Sequence, residues 1–510
     1  MPCVIKTIQP PLRFCASTNA FNESAMAAPP APFCFSRTYG IPASLAASCD
    51  LVPSIFDSLA LNGAAKLTHS FPVCASIVSL LRFKSDTISS CVSFAILMFL
   101  GVPIGISLGL SAVGGMLFIS NSTDLMTITK RMFEGMNSWA LLAIPLYTFA
   151  GYTMSKGGIS ARLMDFCYAI VGHIYGGLAH VNVLASMIFA GISGSAVADT
   201  AGVSGMFMPT MIKKGYSKEL TVTVTGVSST VGIIIPPSIP MVVIAGICSI
   251  STGKMFLGGI IPGILIGLSQ MIISYFFAKK ENVEPEPGHF QLSEVWRTFK
   301  GSWPALLMPV IIIGTITAGI VSPTEAGAIA VVYGLICGGL VYRELKWADL
   351  KFCFTETVRV SARIFLVIAC AKLYTIMLTT AGFDKWLTGA MLGISTNPTV
   401  ILMMILLLFF IVTMFMESIA ALTLFMPIIF PIAMSAGIDP IVLGVLVTVM
   451  IGVGLVTPPV GMCIYVACDI MKITVGSTLK YLLWYILGTF IVIGILIAFP
   501  QLITALGAFV

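Results

Sequence analysis

Residues 231–240 read VGIIIPPSIP, and residues 454–462 read GLVTPPVGM. Each stretch places two adjacent prolines inside a long apolar run with few charges nearby. Proline lacks a backbone donor, its ring clashes with the carbonyl four residues earlier, and the residue before it is pushed out of the helical region. Both stretches therefore predict apolar helices that are interrupted part-way along.

The composition places these interrupted helices in a lipid bilayer. Of the 510 residues, 57% are hydrophobic and 9% are charged, whereas soluble domains carry about 25% charged residues. From residue 92 onward, apolar runs of the length that a spanning helix needs, about 20 residues, follow one another. We expect about eleven to thirteen inserted helices in an all-α polytopic membrane protein, because continuous runs are unlike the alternating strands of a β-barrel.

Charge and cysteine usage exclude other classes. The net charge is +6, and the lysines and arginines form short clusters between the apolar runs. Such clusters are typical of membrane topology and not of a nucleic-acid interface. The thirteen cysteines include no CxxC pair, so we interpret them as small hydrophobic residues and not as a disulfide or metal framework.

The pattern of apolar and polar segments divides the chain into five parts. The first, rich in Ser, Ala, Pro and Cys, is expected to be poorly ordered, as either a transit segment or an upstream extension. The predicted parts are residues 1–88 (extension), 89–278 (first transmembrane repeat, with a hairpin at about 181–212 and a broken span at about 219–250), 279–301 (polar linker), 302–478 (second repeat, with a hairpin at about 397–435 and a broken span at about 439–470) and 479–510 (C-terminal span).

Two segments of the chain repeat each other. Residues 199–209 (DTAGVSGMFMP) align without a gap on residues 417–427 (ESIAALTLFMP), acid over acid and FMP over FMP. With four added residues in the second copy, the two Pro-Pro pairs coincide, as do Gly232 and Gly454. The common order of these matches indicates an internal duplication.

Charge indicates how the two repeats are oriented. The turn after the first FMP carries Lys213, Lys214 and Lys218, whereas its counterpart, residues 433–442 (AMSAGIDPIV), carries no lysine or arginine. By the positive-inside rule the first turn is cytoplasmic and the second lies on the far side. The sequence therefore predicts two inverted repeats.

Each repeat pairs a short apolar hairpin with a broken span. Residues 181–192 extend only about 18 Å as a helix, so we expect a re-entrant helical hairpin whose tip stops near mid-membrane. Non-helical backbone at that depth must be covered by protein or line a cavity. Freed carbonyls with Ser and Thr hydroxyls suit sodium, and helix N-termini suit a carboxylate. This pattern is typical of secondary transporters, with one cation site per half and the substrate between the hairpin tips.

The motifs that carry this pattern resemble a known family. GISGSAVADTAGVSGMFMPTMIKKGYS (191–217), GIVSPTEAGAIAVVYGL (319–335) and FMESIAALTLFMPIIFPI (415–432), with both Pro-Pro stretches, are similar to the large permease subunit of the TRAP (tripartite ATP-independent periplasmic) transporters. The likeness covers about residues 92–508. It implies an elevator-type ion transporter fold, in which hairpins and broken spans slide against a scaffold.

The resemblance also implies a function and partners. It implies sodium-driven import of organic anions, such as C4-dicarboxylates, sialic acid or other sugar acids, and keto acids, across the bacterial inner (cytoplasmic) membrane. A periplasmic binding protein would deliver the substrate, and a small four-helix membrane subunit would be the partner. We expect that subunit to be a separate chain, since the N-terminal extension has no four spans. No cofactor is expected besides the coupling sodium ions.

Matching motifs imply the residues of each site. The first sodium site would use Gly191, Ser193, Ser195, Gly232, Ile235 and Pro237. The second would use Thr413, Gly454, Thr457 and Val460. The expected substrate residues are Ser195, Asp199, Pro236, Ser238, Glu417, Ser418 and Pro458.

Several alternatives remain open at this stage. The serines could bond back to helix carbonyls, and Asp199 and Glu417 could stabilise the N-terminus of the second arm of each hairpin. Glu325 in SPTEAG is expected to form a capping box. A related elevator fold could couple anions to protons, and a channel is a further alternative. An intramembrane serine hydrolase would match GISG, but the one histidine after Ser193 is His289 in the polar linker, so no enzyme is expected.

Overall fold

The computed structural model describes residues 92–98, 100–119, 125–283 and 291–509. The predictions for residues 1–88 and for the middle of the polar linker lie outside the described residues. Within these ranges the regular elements are helices, as the sequence predicts. The first half contains α1 (Ile104–Ile119), α2 (Leu125–Met136), α3 (Ala143–Lys156), α4 (Ile159–Val171), α5 (Gly177–Ser193), α6 (Ala196–Lys213), α7 (Lys218–Ser228), α8 (Ile239–Cys248) and α9 (Thr252–Lys280).

The second half of the described chain is also helical. It contains α10 (Leu292–Thr317), α11 (Pro323–Ile336), α12 (Trp347–Thr380), α13 (Phe383–Ile394), α14 (Pro398–Thr413), α15 (Ser418–Ser435), α16 (Pro440–Gly454), α17 (Met462–Met471), α18 (Val475–Ala498) and α19 (Gln501–Thr504). A short 3₁₀ segment, Ser229–Ile233, extends α7, and a π-helical turn, Cys337–Val341, extends α11.

Six of the described helices are long and apolar enough to cross a membrane. They are Thr252–Lys280, Leu292–Thr317, Pro323–Val341, Trp347–Thr380, Ser418–Ser435 and Val475–Ala498. Six further apolar helices are shorter, and they include α5, α8, α14, α16 and α17. Short apolar helices cannot cross about 30 Å of hydrocarbon singly, so in a multi-pass membrane protein they must be joined end to end or return to one side.

The first broken helix is interrupted where the sequence predicts. Pro236 and Pro237 have no N–H, and the peptide bond between them is cis, as is that between Pro458 and Pro459. Ser238 then begins α8 as its N-cap, since its Oγ accepts the Met241 N–H at 3.3 Å. The same hydroxyl donates to the Ile233 carbonyl. Ser238 therefore bridges the two ends of the break.

Buried polar side chains join α5 to α7. Asn182 Nδ2 donates to Thr225 Oγ1 at 2.7 Å, and the Ser186 and Ser228 hydroxyls lie 3.0 Å apart. All four residues are fully buried. Because an unpaired polar group would be costly here, this network fixes the first arm of the hairpin against the broken helix.

The two ends of α9 contact different turns. At its C-terminal end, Glu281 accepts hydrogen bonds from the Ser217 N–H and Oγ at 3.1 and 2.6 Å, in the turn between α6 and α7. Near its start, a Cβ on Gly258 would lie 3.2 Å from Ile441, in the first turn of α16. Its 29 residues extend about 44 Å. The α6–α7 and α15–α16 turns therefore lie at opposite ends of α9.

A second group of helices, α1, α3, α11 and α12, packs beside the hairpins. The Tyr147 hydroxyl of α3 donates to the Pro323 carbonyl at the start of α11, at 2.8 Å. Ser322 and Glu325 form the predicted capping box, since each side chain accepts the backbone N–H of the other residue. The role of Glu325 as a capping residue is thus confirmed. We call this helix group the scaffold.

Candidate functional site

The first hairpin turns at Gly194 and Ser195. Gly194 has φ +64°, and Ser195 is extended and serves as the N-cap of α6. A Cβ on Gly194 would lie 2.7 Å from the Pro237 carbonyl oxygen, so glycine is required both by the backbone and by the contact. The hairpin tip therefore rests directly on the first Pro-Pro break.

The second hairpin tip rests on the second break in a similar way. The Val460 N–H donates to the Met414 carbonyl at 3.2 Å. A Cβ on Gly454 would lie 1.9 Å from Thr413 Oγ1 and 2.6 Å from its Cβ. Only a glycine at the end of α16 allows this approach.

The two broken helices pack against each other, and beyond its break each one contacts the hairpin of the other half. A Cβ on Gly226 of α7 would lie 2.6 Å from Ile464 of α17, and one on Gly452 of α16 would lie 3.5 Å from Thr230. Beyond its break, α8 packs on α15 of the second hairpin, and α17 packs on α6 of the first. Each broken helix thus contacts its own hairpin before the break and the other hairpin after it.

The residues proposed for the first sodium site come from these two elements. Gly191 and Ser193 lie in the last turn of α5, followed by Ser195 at the tip. Gly232 lies in the 3₁₀ segment, with Ile235 and Pro237 in the break. The Gly194–Pro237 contact brings tip and break together. The side chain of Ser193 lies outside the described part, so its proposed role rests on its position alone.

The residues proposed for the second site are also adjacent. Thr413 and Gly454 are in contact, and the Val460 N–H binds the tip. The Thr457 hydroxyl donates to the Val453 carbonyl at 2.6 Å, and that of Thr413 donates to the Phe409 carbonyl at 2.6 Å. A hydroxyl that donates in this way keeps its lone pairs for a cation.

A cavity of about 620 Å³ lies between the hairpin tips and the scaffold. This volume is within the range of small-molecule sites. Four of the expected substrate residues line it: Ser195, Asp199, Glu417 and Ser418. Pro236, Ser238 and Pro458 are not among the described residues that line it. Ser238 is instead fully buried and bridges the first break.

The two acids differ in their local roles. Glu417 is the N-cap of α15 and accepts the N–H groups of Ile419 and Ala420 at 3.1 and 3.3 Å. Asp199 lies in the first turn of α6, where Ser195 is the N-cap, and the residue is 5% exposed. The capping interpretation is therefore confirmed for Glu417, while both acids face the cavity.

Sequence reasoning missed the scaffold wall of the cavity. This wall includes Tyr152 of α3 and Glu356, Val360 and Arg363 of α12. Its signal was available, because charged residues within an apolar helix are costly and by default functional. Gly194 was also missed, although a glycine between two serines at a predicted tip suggests a left-handed turn.

Paired hairpins and interrupted helices around one cavity define a class of multi-pass helical membrane transporters. In agreement, the chain is similar in fold to the YdaH transporter of Alcanivorax borkumensis, with a TM-score of 0.55 and 14% identity over 81% of this chain and 99% of that structure. The profile of the family "Tripartite ATP-independent periplasmic transporter, DctM component" matches residues 91–502. The chain belongs to this family, whose members are transporters and not enzymes.

Curated relatives agree with this assignment. The C4-dicarboxylate TRAP transporter large permease protein DctM of Pseudomonas aeruginosa is 36% identical over 401 residues, covering 78% of this chain and 93% of the relative. The sialic acid TRAP transporter large permease protein SiaM of Vibrio cholerae is 34% identical over 405 residues, covering 79% and 94%. The residues that match the family profile, 91–502, include both hairpins and both breaks.

Proposed function

We propose that this protein is the large membrane subunit of a sodium-coupled secondary transporter that imports organic anions. The observation that carries the proposal is the pairing of each hairpin tip with a Pro-Pro break on one side of a single cavity. The arrangement offers carbonyl and hydroxyl oxygens for cations at two places. It also aims the N-termini of α6 and α15 toward the cavity, which favours an anion there.

The two halves form inverted repeats in this proposal. The α6–α7 turn and the α15–α16 turn contact opposite ends of α9, and only the first of them carries lysines. Both observations support opposite orientations in the membrane. Hairpins and broken helices would then move together against the scaffold as an elevator, since the cavity lies at the boundary between them.

Two sodium ions would bind at the tip-and-break contacts. The first would lie near Ser195 and Pro237, and the second near Thr413, Gly454 and Thr457. Sodium prefers hard oxygen ligands, and transporters of this kind supply them from unwound backbone. The Gly194–Pro237 contact and the hydroxyls of Thr413 and Thr457 support these positions.

The partners, substrate class and location are proposed by analogy with the family. A periplasmic binding protein would deliver the anion, and a small four-helix membrane subunit would complete the transporter in the bacterial inner membrane. Relatives are named for C4-dicarboxylates, sialic acid, isethionate and 2,3-diketo-L-gulonate. An organic anion of this group is therefore the proposed substrate class.

Reconstitution with the small subunit and loaded binding protein in proteoliposomes tests the proposal. Uptake should require an inward sodium gradient, and it should stop when potassium replaces sodium. Thr457→Ala should raise the sodium concentration needed for half-maximal uptake by about tenfold. This corresponds to a loss of about 1.4 kcal/mol in the free energy of sodium binding. Thr448→Ala is the matched control, because Thr448 donates to Gly444 in the same helix, at 2.8 Å, away from the break.

The outcomes separate the alternatives. Uptake driven by a proton gradient without sodium would overturn sodium coupling. It would favour proton coupling through the acids that face the cavity. An equal effect of both threonine variants would overturn the proposed second sodium site.

A further inference from the structure

The cavity contains charged residues on both of its walls. Its charged lining residues are Asp199 and Glu417 on the hairpins and Glu356 and Arg363 on α12. Among the described residues that line the cavity, Arg363 is the one basic residue. An anion that enters between the hairpin tips therefore meets two carboxylates on one side and a guanidinium on the other.

The charges on α12 are unequally paired. Glu356 forms an ion pair with Arg359, three residues further along the helix. Seven residues, or about 10 Å of helix, separate Glu356 from Arg363. Within the described part of the chain, no carboxylate lies within ion-pair distance of the Arg363 guanidinium. Arg363 is exposed toward the cavity, so its donors are available to a ligand.

The position of Arg363 in the sequence makes its charge costly. It begins the apolar stretch of α12 that continues as IFLVIACA, residues 364–371. Lys372, the next basic residue of the helix, is half-buried, and its Cβ would lie 2.7 Å from a Cβ on Gly135 of α2. Lys372 therefore packs on a neighbouring helix, whereas Arg363 faces the cavity. A charge at membrane depth that faces a cavity marks a substrate pathway by default.

We infer that Arg363 binds the acidic group of the transported anion from the scaffold side. This inference rests on the proposed function and deepens it by naming a residue that determines substrate specificity. A planar guanidinium binds a carboxylate or sulfonate with two parallel hydrogen bonds. The cavity would thus hold the substrate between Arg363 and the N-terminal turns of α6 and α15, and Arg363 offsets the repulsion from Asp199 and Glu417.

Binding measurements on the transporter in lipid nanodiscs test this inference. Succinate, N-acetylneuraminate and isethionate serve as probes at saturating sodium, with calorimetric titration as the readout. Arg363→Gln should weaken the binding of whichever anion the unmodified chain binds by about 10- to 100-fold. Arg363→Lys should weaken it less, because the charge remains but the two-pronged geometry is lost.

Lys351→Gln is the matched control. It removes one positive charge from the same helix, but Lys351 is exposed and is not among the described residues that line the cavity. Anion affinity should therefore change by no more than about twofold in this variant. Arg359 is unsuitable, because its removal would leave the cavity-lining Glu356 without its ion-pair partner. The sodium concentration for half-maximal binding and the thermal unfolding midpoint should be unchanged in Arg363→Gln, which a merely structural role would not predict.

The outcomes distinguish a failure of the role inferred for Arg363 from a failure of the proposed function. Unchanged anion affinity in Arg363→Gln, or an equal loss in Lys351→Gln, overturns the inference while the proposed function stands. Failure of the unmodified chain to bind any probe overturns the proposed function, and the role of Arg363 with it.

Discussion

Two glycines set how closely each hairpin tip approaches its broken helix. Gly194 touches the Pro237 carbonyl, and Gly454 touches the Thr413 side chain. At both places a larger residue would separate the tip from the backbone that we propose binds sodium. The proposed sodium sites would thus depend on the absence of side chains at these two glycines as much as on the predicted hydroxyls.

The substitution Gly454→Ala tests this dependence at the residue scale. Its Cβ would lie 1.9 Å from Thr413 Oγ1, so the tip must move, at a cost of about 1–3 kcal/mol of stability. We expect a lower thermal unfolding midpoint and a higher sodium requirement for uptake. Tryptophan fluorescence during heating and sodium titration of uptake measure the two effects.

The control is Gly494→Ala in α18, since a Cβ there would meet no atom within 4 Å. That variant should keep the unfolding midpoint and the sodium requirement of the unmodified chain. A Gly454→Ala protein with the same two values would show that the tip does not depend on this contact.

Single residues were predictable from the sequence only where local chemistry decides their role. The Ser322–Glu325 capping box follows from spacing alone and is present. Gly194 and Arg363 owe their importance to neighbours distant in sequence, Pro237 and the cavity respectively. The charges of α12 mark it as a functional helix, but no local pattern encodes which of its sides faces the hairpins, so the particular residues that line the scaffold side of the cavity could not be derived.

At the scale of elements, the second arms of the two hairpins begin in different ways. Ser195 is the N-cap of α6, whereas Glu417 caps α15 with its side chain. Asp439 caps the neighbouring α16 with the same type of bond, accepting from the Ile441 and Val442 N–H groups at 2.8 and 3.1 Å. Glu417 and Asp439 therefore cap their own helices in the same way and can be compared as a pair of variants. Of the two, only Glu417 faces the cavity.

This pair separates capping from transport. Glu417→Ala and Asp439→Ala should each lower the free energy of unfolding by about 1 kcal/mol, the usual loss for a missing cap. Only Glu417→Ala should also change anion uptake, because it alters the charge that the cavity presents to an anion. Thermal unfolding and initial uptake rates, measured on both variants, give the two readouts.

Glu417→Gln refines the comparison, because its amide oxygen can still accept the Ile419 and Ala420 N–H groups while the charge is absent. It should retain most of the stability and show the uptake change. Equal uptake in Glu417→Ala and Asp439→Ala would reduce Glu417 to a structural cap.

The interrupted elements themselves were predictable because proline acts locally. Two adjacent prolines break a helix whatever surrounds them, and the helices on either side of each pair end within a few residues of it. The packing of α8 on α15 and of α17 on α6 was not predictable. It depends on close helix approaches such as that of Gly226 to Ile464, which apolar composition does not specify.

At the scale of the whole molecule, α9 is long enough to span a membrane, and its two ends contact the corresponding turns of the two halves. One end binds the α6–α7 turn through Glu281, and the other packs against the start of α16. Lysines cluster at the first turn and are absent from the second. Since charge and geometry are independent observations, their agreement is the strongest support for the inverted arrangement that we propose.

Cysteine labelling from each side of the membrane tests that arrangement. Lys214→Cys lies in the α6–α7 turn and Gly437→Cys in the α15–α16 turn. In intact right-side-out spheroplasts, a membrane-impermeant maleimide should label Gly437→Cys and leave Lys214→Cys unlabelled until the membrane is opened.

Two further variants calibrate the result: Asn282→Cys follows α9 and should behave as Lys214→Cys, and Ser249→Cys precedes α9 and should behave as Gly437→Cys. Labelling of the unmodified chain gives the background, to which the described native cysteines should add little because six of the seven are buried. If both turns were labelled from the same side, the repeats would be parallel. The lysine cluster and the contacts of α9 would then need another explanation.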